Sequence, residues 1–232
     1  MTCGTCFAVQ PAFLWSLVSA GGLELTAEYL FASDASDTSG NGNDGTLEGD
    51  ATASGTLVLD GTGDRVNVAD HEMMRVGSAT PFSVSFWFKP VDTGTDGLVS
   101  KYSSGHLGFL IYKDSINIKF RHAYSSTGNQ YIETYSPYSY ASGTWYHVAI
   151  NYDGTELASG VEMYLNGSSA TVSTSSDNIT TFLPSLNTES FKIGDRGGSS
   201  LAFNGEVDSV YYKVGSNFDA SEITDFYNEG HD

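Results

Sequence analysis

The chain has 232 residues, with 28 Asp or Glu against 10 Lys or Arg and a net charge of −18. A surface this acidic repels phosphate backbones, which argues against nucleic acid as a partner and favours solubility in a saline medium. Hydrophobic residues at 40%, aromatics at 13% and 26 glycines combine a core with dense turn punctuation, the composition of one all-β domain rather than two.

In chain order, residues 1–24 read as an N-terminal docking arm and residues 25–232 as the domain. Cys3 and Cys6 form a lone CGTC. Without a second pair it cannot complete a four-ligand zinc site, and no strand–helix redox context follows it. A local disulfide, a link to another chain and two idle thiols all stay open. The stretch FAVQPAFLWSLVSA, residues 7–20, is apolar but interrupted by Gln10, Pro11 and Ser16, and is too short to span a bilayer. It lacks a basic leader, since the first Lys or Arg of the chain is Arg65. The expectation is an uncleaved arm that docks on neighbouring chains and builds an oligomer or larger assembly; the alternative is an atypical secretion signal ending near Ala20.

The turn-forming run DTSGNGNDG, Asp37–Gly45, precedes a series of short strands. In FSVSFWFK, Phe82, Val84, Phe86 and Phe88 point one way and Ser83, Ser85, Trp87 and Lys89 the other. The same alternation predicts that Leu107, Phe109 and Ile111, then Ile116, Ile118 and Phe120, then Val148, Ile150 and Tyr152, then Val161, Met163 and Leu165 line inner faces. Strands at this spacing, broken by Gly, Asn, Asp and Ser, predict two packed antiparallel sheets. Asn166-Gly167 is a hairpin turn signal. One helix is expected, capped by Asp219 with Glu222 three residues on, presenting Ile223, Phe226 and Tyr227 on one face and ending at Gly230.

The order AEYLFASDASDTSGNGNDGTLEG, LVLDGTGDRVNVAD, FSVSFWFKP, GTWYHVAINYDG, VEMYLNG, FKIGD and FNGEVDSVYYKVGSNFDASEITDFY resembles the laminin-G-like branch of the concanavalin A-like lectin/glucanase superfamily. The resemblance runs from about Leu25 to Tyr227. It implies a jelly-roll β-sandwich of two antiparallel sheets, in agreement with the alternation, to which the capped C-terminal helix is added; the arm has no counterpart in it.

Ca²⁺ takes six to eight oxygens, and a Gly-rich turn can fold its carbonyls around one ion. The family resemblance places a structural Ca²⁺ between DTSGNGNDG and the last strand, and nominates Asp37, Asn41, Asn43 and Asp208, with Asp60 as a further candidate. The competing reading is that Asp and Asn in such turns bond backbone groups and hold no metal. Glycoside hydrolysis needs two carboxyl groups roughly 5–10 Å apart. Laminarinase-like members of the superfamily carry Glu-x-Asp-x-x-Glu on one strand; here Glu206 and Asp208 match and Tyr211 replaces the second Glu, so catalysis by that route is not expected. His71, His106, His122, His147 and His231 show no metal-ligand spacing. His147 beside Trp145 reads as a packing residue, as do Trp87 and Tyr112.

Residues 121–145 carry Tyr124, Tyr131, Tyr135, Tyr138 and Tyr140 among small polar residues, a composition suited to glycan or protein recognition and equally to a β-edge or subunit contact. The expectation is a noncatalytic structural or attachment protein on a phage virion, a decoration, tail or fibre-type component, held to other virion proteins by the arm. The alternative is a secreted carbohydrate-binding module of a bacterial surface system. The sequons at Asn166 and Asn178 bear on neither.

Overall fold

The computed structural model describes residues 24–102, 107–124, 130–179, 187–196 and 201–231. The arm up to residue 23, both cysteines and His106 lie outside the described residues. The strands in chain order are β1 (Ala27–Tyr29), β2 (Gly45–Glu48), β3 (Thr52–Ala53), β4 (Leu57–Asp60), β5 (Arg65–Val68) and β6 (Phe82–Pro90). Then come β7 (Asp96–Tyr102), β8 (Leu107–Lys113), β9 (Asn117–Tyr124), β10 (Tyr131–Pro137) and β11 (Tyr146–Tyr152). The series ends with β12 (Val161–Leu165), β13 (Ser168–Ser169), β14 (Ser173–Asp177), β15 (Phe191–Ile193), β16 (Asn204–Val214) and the helix α1 (Ala220–Glu229).

These strands form two antiparallel sheets packed as a jelly-roll sandwich. The first runs β13-β12-β11-β6-β16-β4-β3, with β1 also paired to β16; the second runs β14-β10-β9-β8-β7-β15-β5-β2. Their inner faces meet in one aromatic core. Phe82 sits at its centre, with ring centroids 4.6 Å from Phe109, 5.4 Å from His122 and 5.7 Å from Tyr152. Such close packing of large rings makes truncation at Phe82 cost about 3–5 kcal/mol.

The expected inner faces are largely observed. Phe82, Val84, Phe86, Phe88, Phe109, Ile111, Ile118, Phe120, Val148, Ile150 and Tyr152 are all buried. Ile116 departs from the expectation and is 62% exposed, because it lies in the β8–β9 turn, where its N–H donates to Asp114 Oδ1. The opposite face of β6 is also buried, for a reason alternation cannot show. Phe218, Ile223 and Phe226 of the α1 region pack on Tyr211 and Ala149, which closes the outer face of the first sheet.

The helix start is set locally. Asp219 Oδ1 accepts from the N–H groups of Ser221 and Glu222, and the Asp219 N–H donates back to Glu222 Oε2. This reciprocal pair satisfies donors that a helix N-terminus otherwise leaves without partners. Asn166 and Gly167 hold φ of 49° and 72°, the left-handed geometry of a tight hairpin between β12 and β13. Among the described residues no helix is long and apolar enough to cross a membrane.

Candidate functional site

With α1 over the first sheet, the outer face of the second sheet carries polar and aromatic side chains around a small buried cluster of Tyr102, Leu110, Tyr112 and Ala123. Alternation and register define it. Because Phe109 and Ile111, Phe120 and His122, and Ile132 and Thr134 turn inward, their neighbours Leu110 and Tyr112, Lys119 and Arg121, and Tyr131, Glu133 and Tyr135 turn outward. The ladders align them in rows: Tyr112, Lys119 and Tyr135 in one, Lys192, Ser100, Leu110, Arg121 and Glu133 in the next, and Tyr102, Gly108, Ala123 and Tyr131 in the third.

Glu133 is the hub of the middle row. Its carboxylate accepts from Arg121 Nε at 2.7 Å, Tyr112 OH at 2.8 Å and Ser175 Oγ at 2.8 Å. Burial alone would raise its pKa; the Ser175 bond, the Arg121 charge and the Tyr112 and Arg121 bonds outweigh that and hold it below the usual carboxylate range. The Arg121 guanidinium lies 4.5 Å from the ring centre of Tyr131, within cation–π range. Lys119 pairs with Asp114 at 2.8 Å. Farther along the face, Arg65 joins Glu48 and Asp195, its Nη1 lying 2.9 Å from Asp195 Oδ2. The face thus carries a fixed array of donors and acceptors beside tyrosine rings.

Of the tyrosines named from sequence, Tyr131 and Tyr135 lie half-buried on this face. Tyr124 is 4% exposed and points into the core, its hydroxyl bonded to His122 and Tyr152. Tyr140 is 8% exposed and packs against Phe88, Tyr138 and Tyr146, and the Tyr138 hydroxyl accepts from Asn166 Nδ2. Burial takes Tyr124 and Tyr140 away from any surface ligand. Arg121, Glu133 and Tyr112 were not named from sequence as ligand contacts; the parity of KFRHAY marks Lys119 and Arg121 as outward, but pairing Arg121 with Glu133 requires the register.

The residues nominated for Ca²⁺ each have local partners. Asp37 accepts the N–H groups of Glu28 and Ser39 on Oδ1 and of Asn43 on Oδ2. Asn41 and Asn43 donate their amides to the Leu25 and Thr26 carbonyls, and the Asn43 carbonyl accepts from Tyr29 OH. This loop fastens residues 25–29 by side-chain to backbone bonds. Asp208, 2% exposed, accepts from the Ser209 N–H at a bulge of β16, where Ser209 has φ of 48°. Asp60 instead joins Asp50 and Asp64, three carboxylates whose nearest oxygens all lie within 4.8 Å of one another. The buried Asp64 accepts the N–H groups of Asp50 and Asp60, and the Asp50 pKa is raised by its hydrogen bond and repulsion with Asp64, then by Asp60. Gly49 leaves room for this, since a Cβ there would stand 2.3 Å from Asp64 Oδ1. Hard oxygen donors at this spacing suit a cation such as Ca²⁺, and in this structure they come from two turns that the sequence holds 10–14 residues apart.

The strand matching the laminarinase pattern is occupied differently. Glu206 pairs with Lys89, and Tyr211 stacks 4.1 Å from Phe226 while its hydroxyl donates to Glu229. The position of the second Glu therefore lies beneath α1. A polar recess of about 170 Å³ at the start of α1 is lined by Asn151, Asp153, Glu162 and Asn217. The amides of Asn151 and Asn217 donate to the Phe218 and Tyr152 carbonyls there and hold the fold together.

A family model described as the concanavalin A-like lectin/glucanases superfamily, of the laminin G type, matches residues 60–212. The chain belongs to this superfamily. Domain 4 of AbnA, an extracellular GH43 arabinanase of Geobacillus stearothermophilus solved with arabinotriose, is 21% identical over 88% of this chain and 98% of its own, with a TM-score of 0.60. The receptor-binding domain of botulinum neurotoxin C/D mosaic serotype is 15% identical, covers 89% of this chain and 51% of its own, and has a TM-score of 0.68. The binding domain of Paraclostridial Mosquitocidal Protein 1 is 16% identical, over 89% and 52%, at 0.66. The chain thus spans about half of each toxin domain. At these identities the likeness is one of fold. A search of curated proteins found no match.

Proposed function

We propose that the domain is a noncatalytic recognition module that binds saccharide on the outer face of the second sheet. The observation that carries this is the half-exposed pair Tyr131 and Tyr135 flanking the Arg121–Glu133 ion pair, which Tyr112 and Ser175 hold in place. Tyrosine rings offer rigid apolar area to the C–H face of a sugar, and a pre-ordered carboxylate and guanidinium meet its hydroxyls without further loss of rotamer freedom. The fold likeness to an arabinanase domain solved with arabinotriose and to toxin binding domains supports a binding role. The test is titration of the chain with a panel of oligosaccharides, beside Tyr131→Ala and Tyr135→Ala. At least one saccharide should bind, and each substitution should weaken it; a panel without any binder, or variants that bind like the parent, would overturn the reading.

The setting of that binding is a separate proposal. Attachment on a phage virion through residues 1–24 rests on a segment outside the described residues, and secretion as a bacterial surface module is its counterpart. The mass of the natural N-terminus and the oligomeric state of the full chain separate them: a retained arm with defined oligomers favours assembly, and a trimmed monomer favours secretion. Ca²⁺ is proposed as a structural ion at Asp50, Asp60 and Asp64.

A further inference from the structure

A chain with 28 carboxylates and 10 cations should leave few cations without an anionic partner. Eight of the ten are in ion pairs: Arg65, Arg75, Lys89, Lys101, Lys113, Lys119, Arg121 and Lys213. The two that form none among the described residues, Lys192 and Arg196, sit four residues apart at the same end of the candidate face. Lys192 on β15 is opposite Ser100 of β7 on one side and Asn67 of β5 on the other. It is only 9% exposed, and its Nζ makes one long bond, 3.3 Å, to the Ser190 carbonyl. A buried ammonium with so little satisfaction is costly unless an anion meets it. Glu189 and Asp195 act on it through space, yet neither closes an ion pair with it. Arg196 lies over the Tyr102 ring at 5.8 Å, which steadies its guanidinium. Asp195 between them has its charge countered by Arg65 at 2.9 Å and keeps a buried Oδ1 with no hydrogen-bond partner.

We propose that Lys192 and Arg196 form an anion-binding subsite that takes the acidic group of a charged saccharide. The subsite deepens the saccharide reading above and rests on it. The carboxylate or sulfate of a sugar unit accepts from Lys192 Nζ and the Arg196 guanidinium. The array then continues along the face toward Arg121, Glu133 and Tyr131. Guanidinium and ammonium together suit a planar carboxylate and a tetrahedral sulfate, so the shared chemistry is the anionic group.

The experiment is calorimetric titration of the full chain with an oligogalacturonate, a sulfated oligosaccharide, a neutral oligosaccharide of matched length, and inorganic sulfate. At least one acidic saccharide should bind tenfold or more tighter than the neutral one, with the advantage shrinking as salt rises. Lys192→Gln and Arg196→Gln should each remove most of that advantage and leave the neutral saccharide's affinity as it was, while Lys192→Arg retains it. Equal binding of acidic and neutral saccharides, both weakened by Tyr131→Ala, would overturn the subsite and leave the saccharide reading standing. Binding of inorganic sulfate with no preference for an acidic saccharide, or Gln variants indistinguishable from the parent, would also overturn it. A chain that binds none of the saccharides removes both.

Discussion

Acidification should loosen the fold through its interior histidines. His122 is buried in the core, its ring 5.1 Å from Tyr152 and 5.4 Å from Phe82, and burial pushes its pKa down to about 3. One direction of donation satisfies the whole chain of partners around it: His122 Nδ1–H to Tyr124, Tyr124 OH to Tyr152, and Tyr152 OH to the Ser78 carbonyl. An unfolded imidazole titrates near 6.5. Between those two values the unfolded chain binds a proton that the folded chain refuses, so this contribution is whole above pH 6.5 and falls as pH drops toward 3. At about 1.4 kcal/mol per pH unit, the loss attributable to His122 reaches about 2 kcal/mol by pH 5. His147, with its pKa also lowered to about 3 by burial, adds a similar amount, and the sum is a large share of an ordinary domain's stability of about 5–15 kcal/mol. The assay is urea unfolding followed by tryptophan fluorescence at pH 7.5 and pH 5, for the parent and for His122→Gln. The variant should be the less stable at pH 7.5, with the gap narrowing by about 2 kcal/mol at pH 5; the acidic residues common to both drop out of that difference. A gap that stays constant between the two pH values would refute a neutral, proton-refusing His122.

Other outcomes follow from the turns and caps. Gly49→Ala should destabilise by about 1–3 kcal/mol in urea, since φ is +75° and the new Cβ would meet the Asp64 carboxylate. Millimolar Ca²⁺ should raise the melting temperature of the parent; Asp60→Asn should remove that rise, whereas Asp37→Asn should keep it and lower the starting value, because Asp37 serves backbone N–H groups. Asp219→Ala should cost about 1 kcal/mol by removing the helix cap, read as a lower urea midpoint with an unchanged slope.

Much of the sandwich is legible in the sequence because a half-buried strand writes its burial with period two. The parity of Phe82 through Phe88 and of Phe109 and Ile111 is sufficient to find the core side. That parity also carries information about ligand contacts: Phe120, His122 and Tyr124 share it, so Tyr124 belongs to the core whatever its neighbours' polarity suggests. Tyr140 lies past the end of β10, where period two no longer holds and only packing against Tyr138 and Tyr146 decides its fate. What local pattern cannot reach is partnership across strands. Glu133 meets Ser175 forty-two residues on, and Asn43 meets Thr26 seventeen residues back. The turn chemistry of DTSGNGNDG is readable; which backbone groups its carboxylate and amides face depends on where β1 lies. Lys192 and Arg196 stand out only when the other eight cations have been matched to their carboxylates, an accounting that needs the whole fold at once.

The borders of the two sheets have a consequence for crowding. The first sheet ends in β13 and β3, each two residues long, and the second in the serine-rich β14 and the four-residue β2. A long, flat border strand offers a row of free N–H and C=O groups to any chain that drifts against it, and so seeds fibrils. Among the described residues each of these borders, like the three-residue β1 beside β16, is too short or too hydrophilic to template another strand. Edge-to-edge strand pairing between copies through these borders is therefore disfavoured.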